Sequence, residues 1–317
     1  WSCLLRLATK AMSDRLLGLL IFLLAYRFLP VDRPRQQVGR LGFDHAGTLL
    51  LALTLAAYSL AMTIGRGSFG LRNLALLTVA QLGVGLFLFA ETRAESPLIR
   101  LPMFRNPLLS ASLVMSALVS TVMMATLVVG PFYLSRTLGL NAALIGLVLS
   151  VGPLCAALTG VPAGRLADRL GPQRMTVLGL IGIAVGAFLL SVIPATLGIY
   201  GYTAPLIVIT VGYALFQTAN NTAVMTDTRP EQRGVISGLL NLSRNLGLVA
   251  GASVMDAVFA AASSTIDITT APPDAHATGM RATFEVAAVL ILLALAIAVA
   301  TYRHELYGWT MASIAES

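Results

Sequence analysis

Long apolar runs recur along this chain, each near the length of a bilayer's hydrocarbon core, and they leave it few architectures. A membrane-spanning helix needs about 20 mostly apolar residues. Runs near that length occupy 16–30, 46–64, 72–90, 108–133, 142–163, 175–194, 203–225, 235–261 and 283–302. The first is the shortest. Inside a bilayer every backbone N–H and C=O must be satisfied within its own segment or a closed barrel, and runs of this length read as helices. The expectation is therefore an all-α membrane protein, a polytopic helical bundle of about nine transmembrane helices. Composition excludes a soluble fold. With 57% hydrophobic and 11% charged residues, and a mean hydropathy of +0.83, the chain has too few polar side chains to wet a surface.

The charges orient the bundle. The net charge is +7, carried by twenty arginines and a single lysine. A nucleic-acid binder clusters such charge on soluble surface, whereas most arginines here fall between apolar runs, so no nucleic-acid partner is expected. With segment 31–43 placed in the cytoplasm, the inner segments hold Arg27, Arg33, Arg35, Arg40, Arg93, Arg100, Arg105, Arg165, Arg169, Arg174, Arg229, Arg233 and Arg303. The outer loops hold Arg66, Arg72, Arg136 and Arg281. This imbalance is the positive-inside bias. It predicts a multi-pass protein of the plasma (inner) membrane with a cytoplasmic C-terminal tail, 303–317. Arg6, Lys10 and Arg15 fall on the outer side under this orientation, against the trend.

Several chemistries find no support. Cys3 and Cys155 make no disulfide framework or metal spacing, and His45, His276 and His304 match no zinc motif. No Ser/His, His-metal or double-Asp constellation stands at membrane depth, so no enzyme is expected. Gly65-Arg66-Gly67-Ser68-Phe69-Gly70 matches G-x-G-x-x-G, but a dinucleotide site needs a preceding strand in a βαβ unit, and these glycines join two spans. No Walker A loop occurs.

The most specific segment is 164–174, Gly-Arg-Leu-Ala-Asp-Arg-Leu-Gly-Pro-Gln-Arg, expected in a short inner loop between two spans. It resembles the G-x-L-A-D-R-x-G-x-x-R signature of the major facilitator superfamily. Gly164, Leu166, Ala167, Asp168, Arg169, Gly171 and Arg174 match, while Pro172 and Gln173 stand where basic residues are common. Physically, Gly164 would let two helices approach, Gly171 would permit a tight turn, and Asp168 would pair with an arginine or the next helix N-terminus. Gly164, Asp168, Arg169, Gly171 and Arg174 then form a latch for one conformation of a rocking bundle. The plainer alternative is an ordinary basic inner loop.

Further blocks look similar to the fourteen-helix drug:proton antiporter branch of that family: 233–247 from Arg233 to Gly247, Phe216 to Asn221, and Phe43 to Gly47. That resemblance implies one last helix of an N-terminal domain (1–30), two central helices (31–106), a six-helix C-terminal domain (107–302) and the tail. About the first five helices of the family pattern have no counterpart here. It further implies proton-coupled export of drugs or other small amphipathic compounds, with the proton gradient as energy source, no cofactor, and small molecules, protons and the bilayer as partners. A truncated, non-transporting membrane protein or interaction module is the alternative.

Polar residues inside the runs supply the site candidates. Gln217, Asn220 and Asn221, at i, i+3 and i+4, share a helix face. They line a pathway or glue helices together. Arg244 stands about 15 Å into its run, by the rise of about 1.5 Å per residue, flanked by Asn241 and Asn245. A charge at that depth marks a functional site unless its helix starts late and the side chain snorkels. Asp256 stands where the family usually has a small residue. It is either a proton carrier or a solvated group near the outer interface. Gly247-x-x-x-Gly251 reads as a packing seam.

Overall fold

The computed structural model describes residues 18–28, 44–64, 70–94, 97–226, 228–263 and 273–315. The chain divides into two units, Trp1–Phe43 and Asp44–Ser317. In the first, the described residues form one apolar helix, α1 (Gly18–Phe28). It covers the middle of the expected first span but is shorter than a membrane crossing.

The second unit holds eight helices long and apolar enough to cross a membrane. They are α2 (His45–Thr63), α3 (Leu71–Arg93), α4 (Pro107–Phe132), α5 (Ala142–Leu170), α6 (Pro172–Val192), α7 (Gly198–Thr226), α8 (Arg233–Ala262) and α9 (Pro273–Ala315). No strand occurs among the described residues. Each matches an expected run. The tail differs: α9 continues to Ala315, because hydropathy marks where a helix leaves the apolar phase and not where its backbone hydrogen bonds stop.

Local chemistry sets several starts. Asp44 accepts the Gly47 N–H at 2.8 Å and opens α2. Asn106 accepts the Leu108 N–H at 2.9 Å and opens α4, and Asn141 accepts the Leu144 N–H at 2.9 Å and opens α5. Each satisfies a donor that a helix N-terminus otherwise leaves orphaned.

α4 to α9 divide in sequence into two three-helix units, α4–α6 and α7–α9, whose helices pack mainly across the units and not within them. α4 lies along α8 as α7 lies along α5; α6 lies along α7 as α9 lies along α4; α6 and α9 meet in the middle. A unit of three spans ends on the opposite side from its start, so the two units run in opposite senses, the inverted-repeat logic of transporter bundles. The core of Phe216, Phe284, Ile291, Ile183, Val122 and Met255 fills the space between them.

Two seams bring backbones unusually close. Along α6 and α7, a Cβ on Gly212 would stand 2.7 Å from the Gly179 carbonyl oxygen and 2.8 Å from the Ile183 nitrogen. Along α4 and α8, Gly247 and Gly251 lie against the Ala117 and Thr121 carbonyls. Lipid tails are as apolar as leucine, so close van der Waals approach of small residues is what holds such helices together. The reading of Gly247-x-x-x-Gly251 as a seam matches this arrangement.

α2 and α3 form a hairpin at the edge. Buried Asn73 ties its tip by donating to the Ala61 and Ile64 carbonyls. Tyr58 donates to the Leu246 carbonyl at 3.2 Å and Ser253 donates to the Met62 carbonyl, which fasten α2 to α8. At the hairpin's other end, buried Glu91 accepts the Ile99 N–H at 3.2 Å and anchors the connection to α4.

Candidate functional site

Gln217, Asn220 and Asn221 part company on α7. Asn220, 1% exposed, points into the bundle. Its amide donates to Ser116 Oγ at 3.1 Å and to the Ser112 carbonyl at 3.5 Å, both on α4. That is helix glue, and Asn220 does not join the other two. Gln217 and Asn221 stay half-buried, with the Gln217 amide donating to Asn221 Oδ1 at 3.5 Å. Tyr213, one turn before Gln217 and also half-buried, extends the same row.

α8 presents a matching polar row. Asn241 and Asn245 are exposed. Asn241 donates to the Ser237 carbonyl at 3.2 Å and Asn245 to the Asn241 carbonyl at 2.9 Å, so both amides are partly spent on their own helix. Arg244 lies between them, half-buried. Its helix begins at Arg233, which puts Arg244 about 16 Å along the axis by the rise per residue. Its Nε is buried and has no hydrogen-bond partner among the described residues. α7 and α8 themselves barely touch, and α4 spans behind them. The two polar rows thus stand on helices that make little contact with each other, with Arg244 the cation of the α8 row.

The sequence profile of the Major Facilitator Superfamily matches residues 12–252. The chain belongs to this family. Among curated relatives, the uncharacterized transporter YebQ of Escherichia coli K12 is 32% identical over 75% of this chain and 52% of its own length. The riboflavin transporter RibZ of Clostridioides difficile is 24% identical over 77% of this chain and 52% of its own. The multidrug transporter protein MdtP of Bacillus subtilis is 22% identical over 73% of this chain and 43% of its own. The chain spans about half the length of these relatives. A crystal structure of a mutant nucleoside transporter NupG superposes with a TM-score of 0.54 at 14% identity, covering 80% of this chain and 65% of that one, and supports the fold. The family and the relatives' names place the chain among transporters and not among enzymes.

The signature segment of the Major Facilitator Superfamily differs in shape from its expectation. Residues 164–170 are the last turns of α5 and α6 starts at Pro172, so Gly171 alone makes the turn. Its φ of 84° is a left-handed conformation that a side chain would strain. Gly164 does not mediate close approach, since a Cβ there would meet nothing within 4 Å. Asp168, Arg169 and Arg174 are exposed, and Asp168 makes no ion pair or hydrogen bond among the described residues. Asp256 is half-buried on α8 and borders a cavity toward α2. Of the G-x-G-x-x-G stretch over 65–70, residues 65–69 lie outside the described residues.

Tyr213 is the site residue that sequence reasoning missed. Its spacing of four from Gln217 was the available signal, masked because a tyrosine in an apolar run reads as core.

Proposed function

We propose that this chain is part of a proton-coupled exporter of drugs or other small amphipathic compounds, of the fourteen-helix drug:proton antiporter branch, working by alternating access. In this reading α1 ends an N-terminal domain, α2 and α3 are the central helices, and α4–α9 form one of two halves that rock about a shared site. The observation that carries it is Arg244: a guanidinium at membrane depth, its Nε buried without a partner, between the amide rows of α7 and α8. Burying an unpaired cation is expensive, and a cost of that kind is understandable where a substrate group or a moving carboxylate meets the charge during transport.

Gln217, Asn221, Asn241 and Asn245 would orient the substrate, with Asn220 holding α7 to α4 behind them. Asp168, Arg169 and Arg174, exposed beside a one-residue turn, would latch in the opposite conformation. The proton gradient would drive the cycle without a cofactor, in the plasma membrane, with the C-terminus cytoplasmic by the arginine distribution. The name of the Bacillus subtilis relative supports drug export. That of the Clostridioides difficile relative supports a vitamin-like substrate on the same scaffold.

The second reading is a membrane protein that does not itself transport. Proteoliposomes with an imposed pH gradient separate the two. The exporter reading expects movement of an amphipathic dye that stops when a protonophore collapses the gradient. Absence of any gradient-dependent flux sinks it and leaves the second.

A further inference from the structure

Two cavities adjoin between the α2–α3 hairpin and α8, one of about 460 Å³ and one of about 300 Å³. Leu51, Leu55, Ile99, Leu239 and Leu242 line both, so the two make one cleft. Along α8 the cleft runs from Val235 to Leu246. At the helical rise that separation is about 16 Å, close to the roughly 15 Å that one leaflet contributes to a hydrocarbon core of about 30 Å. The lining is mostly carbon. Thr54 and Tyr58 are spent, donating to the Leu50 carbonyl at 2.7 Å and to the Leu246 carbonyl at 3.2 Å. Gln81, exposed near the middle of α3, is the remaining amide.

An apolar slot one leaflet deep fits an extended chain better than a compact body, and the charges at its mouth say what heads the chain. Arg100 stands between Ile99 and Leu101, and Arg105 follows Phe104; all three of these neighbours line the cleft. Arg233 begins α8 two residues before Val235, which lines it too. The three arginines are exposed, and their guanidinium groups have no ion-pair or hydrogen-bond partner among the described residues. Of the acids on these elements, Asp44 caps α2, Glu91 is buried against the Ile99 N–H, and Glu231 is exposed. Cations therefore prevail at the mouth. A cationic amphiphile is repelled there, and a zwitterionic head brings its own ammonium up to the arginines. A phosphate head with net negative charge meets guanidinium forks that match its oxygens two at a time. A basic cluster between spans at the membrane surface is the setting in which such heads are held.

We propose that this cleft binds an anionic phospholipid from the leaflet on the arginine-rich side, with one acyl chain between the hairpin and α8 and the phosphate at Arg100, Arg105 and Arg233. The site is separate from Arg244 and does not depend on transport, so a binding measurement tests it.

The full chain is purified in a non-ionic detergent and titrated with phosphatidylglycerol or phosphatidylethanolamine of the same acyl chains, and native mass spectrometry reads the bound lipid. The parent should bind one equivalent of phosphatidylglycerol at least tenfold more tightly than phosphatidylethanolamine. Two variants divide the head from the chain. Replacing all three arginines (Arg100→Gln, Arg105→Gln and Arg233→Gln) should abolish the preference. Gly238→Phe narrows the cleft and leaves the arginines in place; a Cβ at Gly238 meets nothing within 4 Å. It should weaken phosphatidylglycerol at least tenfold. Both variants change exposed positions that hold no partner, and thermal unfolding confirms that they fold. Equal affinity of the parent for the two lipids overturns the proposal. So does phosphatidylglycerol binding that matches the parent's in the triple variant, which would take the arginines out of the site, or in Gly238→Phe, which would leave the lipid on the basic surface and outside the cleft.

Discussion

Asn220 and Asn221 are neighbours on α7, yet the two amides belong to different regions of the molecule. Asn220 closes a hydrogen bond to Ser116 in a seam of buried side chains. Asn221, a hundred degrees round the helix, joins Gln217 in a half-buried row. The same division runs along α8. Gly247 and Gly251 are pressed against α4, Arg244 flanks that seam about 60° from Gly247, and the exposed Asn241 and Asn245 lie further round the helix. The sealed side spends its polar groups on helix–helix bonds. The open side leaves a cation unspent. Stability should reside in the first and transport in the second.

The largest test of that division strikes the seam. Gly247→Leu drives a side chain into the Ala117 carbonyl and forces α4 from α8, so a loss of about 3 kcal/mol or more is expected. Gly251→Leu should behave alike. Gly238 is the control on the open side of the same helix, where a Cβ would meet nothing within 4 Å. Gly238→Ala should hold or raise stability, since glycine costs a helix about 1 kcal/mol relative to alanine. Thermal unfolding in detergent reads all three. Equal losses at positions 247 and 238 would erase the distinction between sides.

Arg244→Gln is the converse experiment. No ion pair is lost among the described residues, so the melting temperature should stay level or rise. Gradient-driven flux should fall about tenfold, the equivalent of about 1.4 kcal/mol of interaction. Arg244→Lys should recover part of the flux, because charge returns without the planar fork. A drop in melting temperature with unchanged flux would move Arg244 to the structural side.

Much of this was legible in the sequence, and the limits have physical causes. Apolar runs report the spans, because the bilayer sets both their length and their solvent. Gly247-x-x-x-Gly251 reported a seam because small residues four apart share a face. What periodicity cannot do is separate two sides of a helix that are both non-polar. Asn220 and Asn221 carry the same amide at adjacent positions, and only the location of α4 tells them apart. Gly164 looked like a contact glycine because of its place in a signature, yet a Cβ there would meet nothing within 4 Å among the described residues. The bonds from Tyr58 and Ser253 that fasten α2 to α8 join residues far apart in the chain, and no local pattern announces them.

A narrower pair of substitutions sharpens the contrast within α7. Asn220→Leu loses the bond to Ser116 and leaves Ser112 Oγ, already without a partner among the described residues, beside a further unmatched hydroxyl. A cost of about 1 kcal/mol is expected, with the substrate preference unchanged. Asn221→Leu should cost under about 0.5 kcal/mol and should shift KM among substrates. Melting temperatures alongside flux assays on several dyes decide it. A reversed assignment, with Asn221 the costlier to lose, would place α4 on the wrong side of α7.

The smallest effect is expected at Thr121, and it asks what kind of force holds the seam. Its hydroxyl donates at 3.0 Å to Ala117 on its own helix and at 3.0 Å to Gly247 across the seam. Thr121→Val keeps the shape and removes the donor. The Gly247 carbonyl retains a backbone N–H from its own helix, so no acceptor is orphaned, and an interhelical side-chain bond of this kind is worth about 0.6 kcal/mol in a membrane. A loss near that figure, far below that of Gly247→Leu, means that α4 and α8 are held by close approach of backbone and that the hydroxyl only trims the fit. A loss as large as the glycine substitution would mean the reverse: the glycines serve to bring the Gly247 carbonyl within reach of Thr121, and the hydrogen bond is the term that the close approach exists to make.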